Sequence, residues 1–97
     1  MKIPKTIRMF GYDWKIIKTK EKDGEFSFKD HTIKVGTFYG EEEEIFIHEI
    51  LEAILVQNHF RFYGQEGSME YQFVFNHTGL CKIHRELFKV LKDNKLI

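Results

Sequence analysis

Ile7 and Met9, then Trp14 and Ile16, alternate with polar neighbours in the two-residue period of strands, and Gly11 between them supplies a turn. Residues 5–10 and 12–19 are therefore predicted to form a hairpin. Asp23-Gly24 marks a second turn, after which Phe26 and Phe28 alternate with Ser27 and Lys29. Asp30-His31 marks a third turn, and Thr32-Ile33-Lys34-Val35 a short strand. The first third reads as an antiparallel meander with one apolar face. Beyond a connector at 36–40 the period becomes helical. Four glutamates at 41–44 open a helix, where their charge suits the positive end of the helix dipole, and the helix is expected to reach Asn58 or His59. Phe60, Phe62, Tyr71, Phe73 and Phe75 then alternate around a turn at 64–67, which predicts a second hairpin or an aromatic loop. From Thr78 to Asp93, Leu80, Ile83, Leu87 and Leu91 return at helical spacing opposite Lys82, Arg85, Lys89 and Lys92, with Asn76 or Thr78 as the cap. The expected fold is α+β: an N-terminal antiparallel β-meander packed on two helices, in a single domain spanning residues 1–97.

The chemistry gathers on the first helix. Every residue from 45 to 56 is apolar except His48, Glu49 and Glu52. At about 100° per residue the apolar positions wrap nearly the whole circumference, so the helix is expected to be buried and its three polar side chains enclosed with it. Buried carboxylates and imidazoles are costly unless paired or bound to a metal. His48 and Glu52, four residues apart, lie one above the other, and Glu49 points about a quarter-turn away. This is the layout of H-E-x-x-H with the second histidine exchanged for glutamate.

Composition narrows the function classes. The 97 residues carry 15 basic and 15 acidic side chains and no formal net charge, whereas a nucleic-acid or anionic-membrane binder usually carries a basic excess. The basic stripe of the last helix reads as its solvated face. A single cysteine, Cys81, excludes an internal disulfide framework and fits a reducing compartment. Met1-Lys2-Ile3-Pro4-Lys5 lacks the apolar core of a signal peptide, and no apolar run is long enough to cross a bilayer. The expectation is a cytoplasmic protein with no nucleic-acid or membrane partner.

A catalytic zinc takes three protein ligands and leaves a position for water. His48 and Glu52 supply two. His77, at the mouth of the last helix on the stripe of Leu80, Leu87 and Leu91, is expected to face inward and is chosen as the third. His84, two turns further on, is its rival, or else a partner of the ligands or a donor to the reacting oxygen. His59 lies nearly three turns beyond Glu52, and His31 sits in a strand turn. Cys81, at i+4 from His77, could make a His–Cys pair typical of structural zinc, but that would leave Glu49 without a purpose.

The stretch Ile47-His48-Glu49-Ile50-Leu51-Glu52-Ala53-Ile54, with His77 and Leu87-Phe88-Lys89-Val90-Leu91-Lys92-Asp93-Asn94, resembles small phage- and prophage-encoded zinc metallopeptidases. Members of that family look like minimal zincins, with a short sheet, a helix bearing H-E-x-x-E and a C-terminal helix preceded by a histidine. Ile3-Pro4-Lys5-Thr6-Ile7 is in the same style. The resemblance implies His48, Glu52 and His77 as ligands of Zn²⁺ and Glu49 as catalytic base. On this reading the ion lowers the pKa of a bound water into the neutral range and polarises a scissile carbonyl. Glu49 takes the water's proton and passes it to the leaving amine. Tyr63, Tyr71 and His84 are candidate oxyanion donors, and the Thr32–Val35 strand, as a sheet edge, could hold a peptide or protein substrate by strand addition. The alternative is a non-enzymatic phage accessory or binding protein with a structural zinc or a degenerate site, because a chain this small gains much from a metal staple. Glu49 separates the two, since a purely structural site does not need it.

Overall fold

The computed structural model describes residues 2–20, 24–36, 41–63 and 70–97, the side chain of Tyr63 excepted. Asp23, the 36–40 connector beyond Gly36 and the 64–67 turn lie outside the described residues. β1 (Thr6–Met9) and β2 (Tyr12–Lys18) form the expected antiparallel hairpin. Its turn residues, Phe10 and Gly11, have φ of 56° and 82°. Two consecutive left-handed residues match the primed turn that fits the twist of paired strands. Gly11 adopts this conformation freely. Phe10 does so at a steric cost, offset by its ring stacking on Phe28 at 6.0 Å and meeting Trp14 edge-on at 6.3 Å.

β3 (Glu25–Ser27) and β4 (Thr32–Val35) make a second antiparallel hairpin. The sheet is not a meander, however. Its order is β1-β2-β4-β3, and β2 pairs with β4 in parallel, Ile16 opposite Ile33. The strand with the strongest claim to burial takes the interior position: Ile33 and Val35 of β4 are fully buried, while Glu25 and Ser27 of β3 suit an edge. The expected α+β class holds, with a mixed four-stranded sheet in place of the antiparallel one.

α1 (Glu42–Gln57) packs its Phe46, Ile50, Ala53 and Ile54 onto the sheet residues Ile7, Met9, Trp14, Ile33 and Val35. A short hairpin of β5 (Arg61–Tyr63) and β6 (Tyr71–Phe73) follows, then α2 (His77–Asp93). Asn76 caps α2, its side chain accepting a hydrogen bond from the Gly79 amide at 2.9 Å. α1 lacks a side-chain cap and relies on Glu42, Glu43 and Glu44 in its first turn, with Glu42 paired to Lys18 at 3.0 Å.

Both helices end alike. After Asn58, the amides of His59 and Phe60 donate to the carbonyls of Val56 and Leu55; after Asn94, those of Lys95 and Leu96 donate to Lys92 and Leu91. This double bond pattern needs a left-handed residue just past the helix, and His59 (φ 62°) and Lys95 (φ 56°) take that place instead of glycine. Asn94 also clamps α2 to β1, accepting from the Arg8 amide at 2.6 Å and donating to the Arg8 carbonyl at 2.9 Å. Relief of the left-handed strain against the extra freedom of an unfolded glycine gives a net gain of about 0.5–1 kcal/mol for His59→Gly, readable as a raised denaturation midpoint. A lowered midpoint would show that the imidazole itself stabilises this turn.

Candidate metal centre

The sheet and α2 cover only part of α1. Phe46, Glu49, Ile50, Ala53 and Ile54 lie on the covered side, while Ile47, His48 and Leu51 face outward. The expected all-round burial of α1 is therefore not realised: among the described residues the sheet and α2 cover one side of this 16-residue helix only. The three polar side chains are graded across the boundary. His48 has 69% of its side chain exposed, Glu52 18% and Glu49 6%. A solvent-facing imidazole thus stands over a buried carboxylate.

Among the described residues, His48, Glu49 and Glu52 form the one group of three whose ligand atoms all lie within 4.8 Å of one another. His48 Nε2 is 3.2 Å from Glu52 Oε2 and 3.8 Å from Glu49 Oε2. Two neighbouring elements fix the carboxylates. A Cβ placed on Gly24, just before β3, would lie 2.9 Å from Glu49 Cγ and 3.1 Å from its Cδ, so only glycine leaves room for this rotamer. From the other side, Arg61 Nη1 of β5 lies 3.4 Å from Glu52 Oε1. Its guanidinium stacks over the Tyr71 ring of β6 at 4.0 Å and stands 5.6 Å from the Phe26 ring of β3. Arg61 carries no signal in the sequence pattern, being one cation within an aromatic segment.

His77 does not join the group. It is exposed in the first turn of α2, with Nδ1 3.8 Å from Cys81 Sγ. The inward stripe of α2 is Gly79, Ile83 and Val90, and Leu80 is exposed. The helix is turned this way because Gly79 sits against Phe60 and Phe75, where a Cβ would come within 2.9 Å of Phe75 Cβ and 3.1 Å of Phe60 Cζ. His77, two residues before that contact, points elsewhere. His84 is also exposed and outside the group. His31 is held in the sheet by stacking on Tyr12 at 4.1 Å and meeting Trp14 at 5.3 Å. Tyr71 is exposed beneath Arg61, and the side chain of Tyr63 lies outside the described residues.

The Thr32–Val35 strand is not an edge; β4 lies between β2 and β3. The edge beside α1 is β3, which follows Gly24 at Glu49 and carries Phe26 near Arg61. A separate cleft of about 700 Å³ lies between the β1–β2 turn, the end of α1 and α2, lined by residues including Arg8, His59, Lys82 and Lys89. None of His48, Glu49 and Glu52 lines it.

Compared with family models, curated proteins and solved structures, the chain gives no significant match. Among the described residues no helix is long and apolar enough to cross a membrane.

Proposed function

We propose that this protein is a metal-dependent peptidase whose centre is built on His48, Glu49 and Glu52, with Zn²⁺ as the ion that fits the donors. The observation that carries this reading is the 3.2 Å separation of His48 Nε2 and Glu52 Oε2. Zinc bonds to nitrogen and oxygen of about 2.0–2.2 Å at a tetrahedral angle require two donors about 3.4 Å apart. Histidine nitrogen and carboxylate oxygen are both among the donors zinc takes. When bound, the ion would acidify a water and polarise a carbonyl.

The chain's own residues supply the rest. Glu49, buried and held by Gly24, is placed to accept a proton from water and return it to the departing amine. Among the described residues β3 is an edge strand, and its backbone groups, which follow Gly24 at Glu49, offer a place where an extended peptide could lie. The likeness to small phage-encoded metallopeptidases names His77 as third ligand, but His77 stands outside this group, so the third position is for the metal-content test to assign.

Metal content tests the reading. Purified wild type is expected to hold about one zinc per chain, and His48→Ala and Glu52→Ala to lose it. Loss in His77→Ala assigns the third ligand there. Retention in that variant with loss in His84→Ala moves it to His84. Wild type without zinc after exposure to the ion overturns the metal reading.

The second reading, a non-enzymatic binding protein, is favoured by a different observation. Phe62, Phe73, Val74, Phe75 and Leu80 on the second hairpin and the start of α2 are all exposed. Exposed apolar side chains gathered on neighbouring segments are a usual feature of partner-binding surfaces. That reading expects a phenotype sensitive to these residues and indifferent to Glu49.

A further inference from the structure

We propose that Arg61 is a positioning residue for the metal centre, holding Glu52 so that a single carboxylate oxygen faces the ion; this rests on the metal reading of His48 and Glu52. The two oxygens of Glu52 have different partners. Oε2 lies 3.2 Å from His48 Nε2, and Oε1 lies 3.4 Å from Arg61 Nη1. A donor on one oxygen of a carboxylate restrains its rotation about the terminal bond and favours metal binding through the other oxygen, although each oxygen keeps a second lone pair. Groups that hold ligands in this way commonly set metal affinity as strongly as the ligands' own chemistry.

Arg61 is itself fixed from three directions. Glu52 of α1 lies beside it, the Tyr71 ring of β6 lies against its face at 4.0 Å, and Phe26 of β3 stands at 5.6 Å. Only a quarter of its side chain is exposed. The guanidinium therefore ties the second hairpin and the edge strand to the carboxylate that matters most for the ion. Its planar fork can bond Glu52 in the ring plane while stacking on Tyr71, which a lysine ammonium cannot do in the same place.

A cation this near a metal ligand has an opposite possible effect, which gives the test its sign. If Arg61 only neutralises Glu52, its charge repels the incoming ion and its removal tightens metal binding. If it positions Glu52, its removal weakens binding. Wild type, Arg61→Met and Arg61→Lys are titrated with Zn²⁺ against a chromophoric chelator, with circular dichroism confirming the fold of each. The Met variant is expected to bind zinc 10–100-fold more weakly, with the Lys variant between it and wild type. With Co²⁺ as probe, the visible absorption bands of the Met variant should shift as Glu52 becomes free to offer both oxygens. Equal or tighter zinc binding in a folded Arg61→Met, beside a wild type that binds one ion, overturns the positioning role and leaves the metal site standing. A wild type that binds no zinc overturns both.

Discussion

Glu49→Gln should lower peptide hydrolysis by roughly two to four powers of ten, the usual worth of a general base, while leaving zinc content unchanged. The substitution keeps the shape of a side chain that is only 6% exposed and packed under Gly24, so the fold is expected to survive it. It removes the one feature a proton acceptor needs. Gly24→Ala offers an independent arm: its new Cβ would meet Glu49 Cγ at 2.9 Å and Ile45 Cγ2 at 2.8 Å, displacing the carboxylate without deleting it. A rate loss in both variants, with zinc retained, points to the placement of this carboxylate. The assay is cleavage of a mixed peptide library by zinc-loaded protein, with a chelated sample as control. Wild-type cleavage no greater than that control would leave the binding-protein reading ahead. In that case Glu49→Gln should leave partner binding and phenotype unchanged.

The parts of the site legible in the sequence are those set by local spacing. The i, i+4 relation puts His48 over Glu52 in any helix, and the helix is unmistakable from residues 45–56. Alternation also located the strands and their faces: Ile7, Met9, Trp14, Ile33 and Val35 all point into the core. Alternation does not say which strands are neighbours, so the parallel pairing of β2 with β4 was hidden. The open side of α1 was hidden too, since a helix that is apolar nearly all round does not reveal which side lacks a partner. For α2 the leucine spacing was right in part. Ile83 and Leu87 pack on the core as it implied, but Leu80 and His77, placed on the same stripe, are exposed, and the first turn is docked through Gly79, a residue with no hydrophobic signature. Arg61 was invisible for a further reason: its role depends on Glu52, Tyr71 and Phe26 coming together from three separate elements.

Trp14→Ala should be the most destabilising single change in the sheet, costing about 3–5 kcal/mol as a large cavity in the core. Trp14 is fully buried, lies edge-on to Phe28 at 5.3 Å, and donates its indole N–H to the Met9 carbonyl at 2.9 Å. Trp14→Phe separates the terms, because it keeps an aromatic ring and removes only the indole bond to a carbonyl that the β1–β2 pairing with Tyr12 still engages, a loss of about 1 kcal/mol. A domain of this size has about 5–15 kcal/mol in all, so the Ala variant loses a large share of its stability and its denaturation midpoint should fall well below that of wild type. That makes it a sensitive reporter on the centre carried by α1. If the folded state alone binds zinc, a free concentration of 100 times the dissociation constant should restore about 2.7 kcal/mol. Urea denaturation of Trp14→Ala with and without zinc measures both effects, and His48→Ala added to the same background should abolish the rescue but not the original loss. A Trp14→Ala midpoint equal to wild type would remove this ring from the centre of the core. A normal loss with no zinc rescue would instead count against the metal centre.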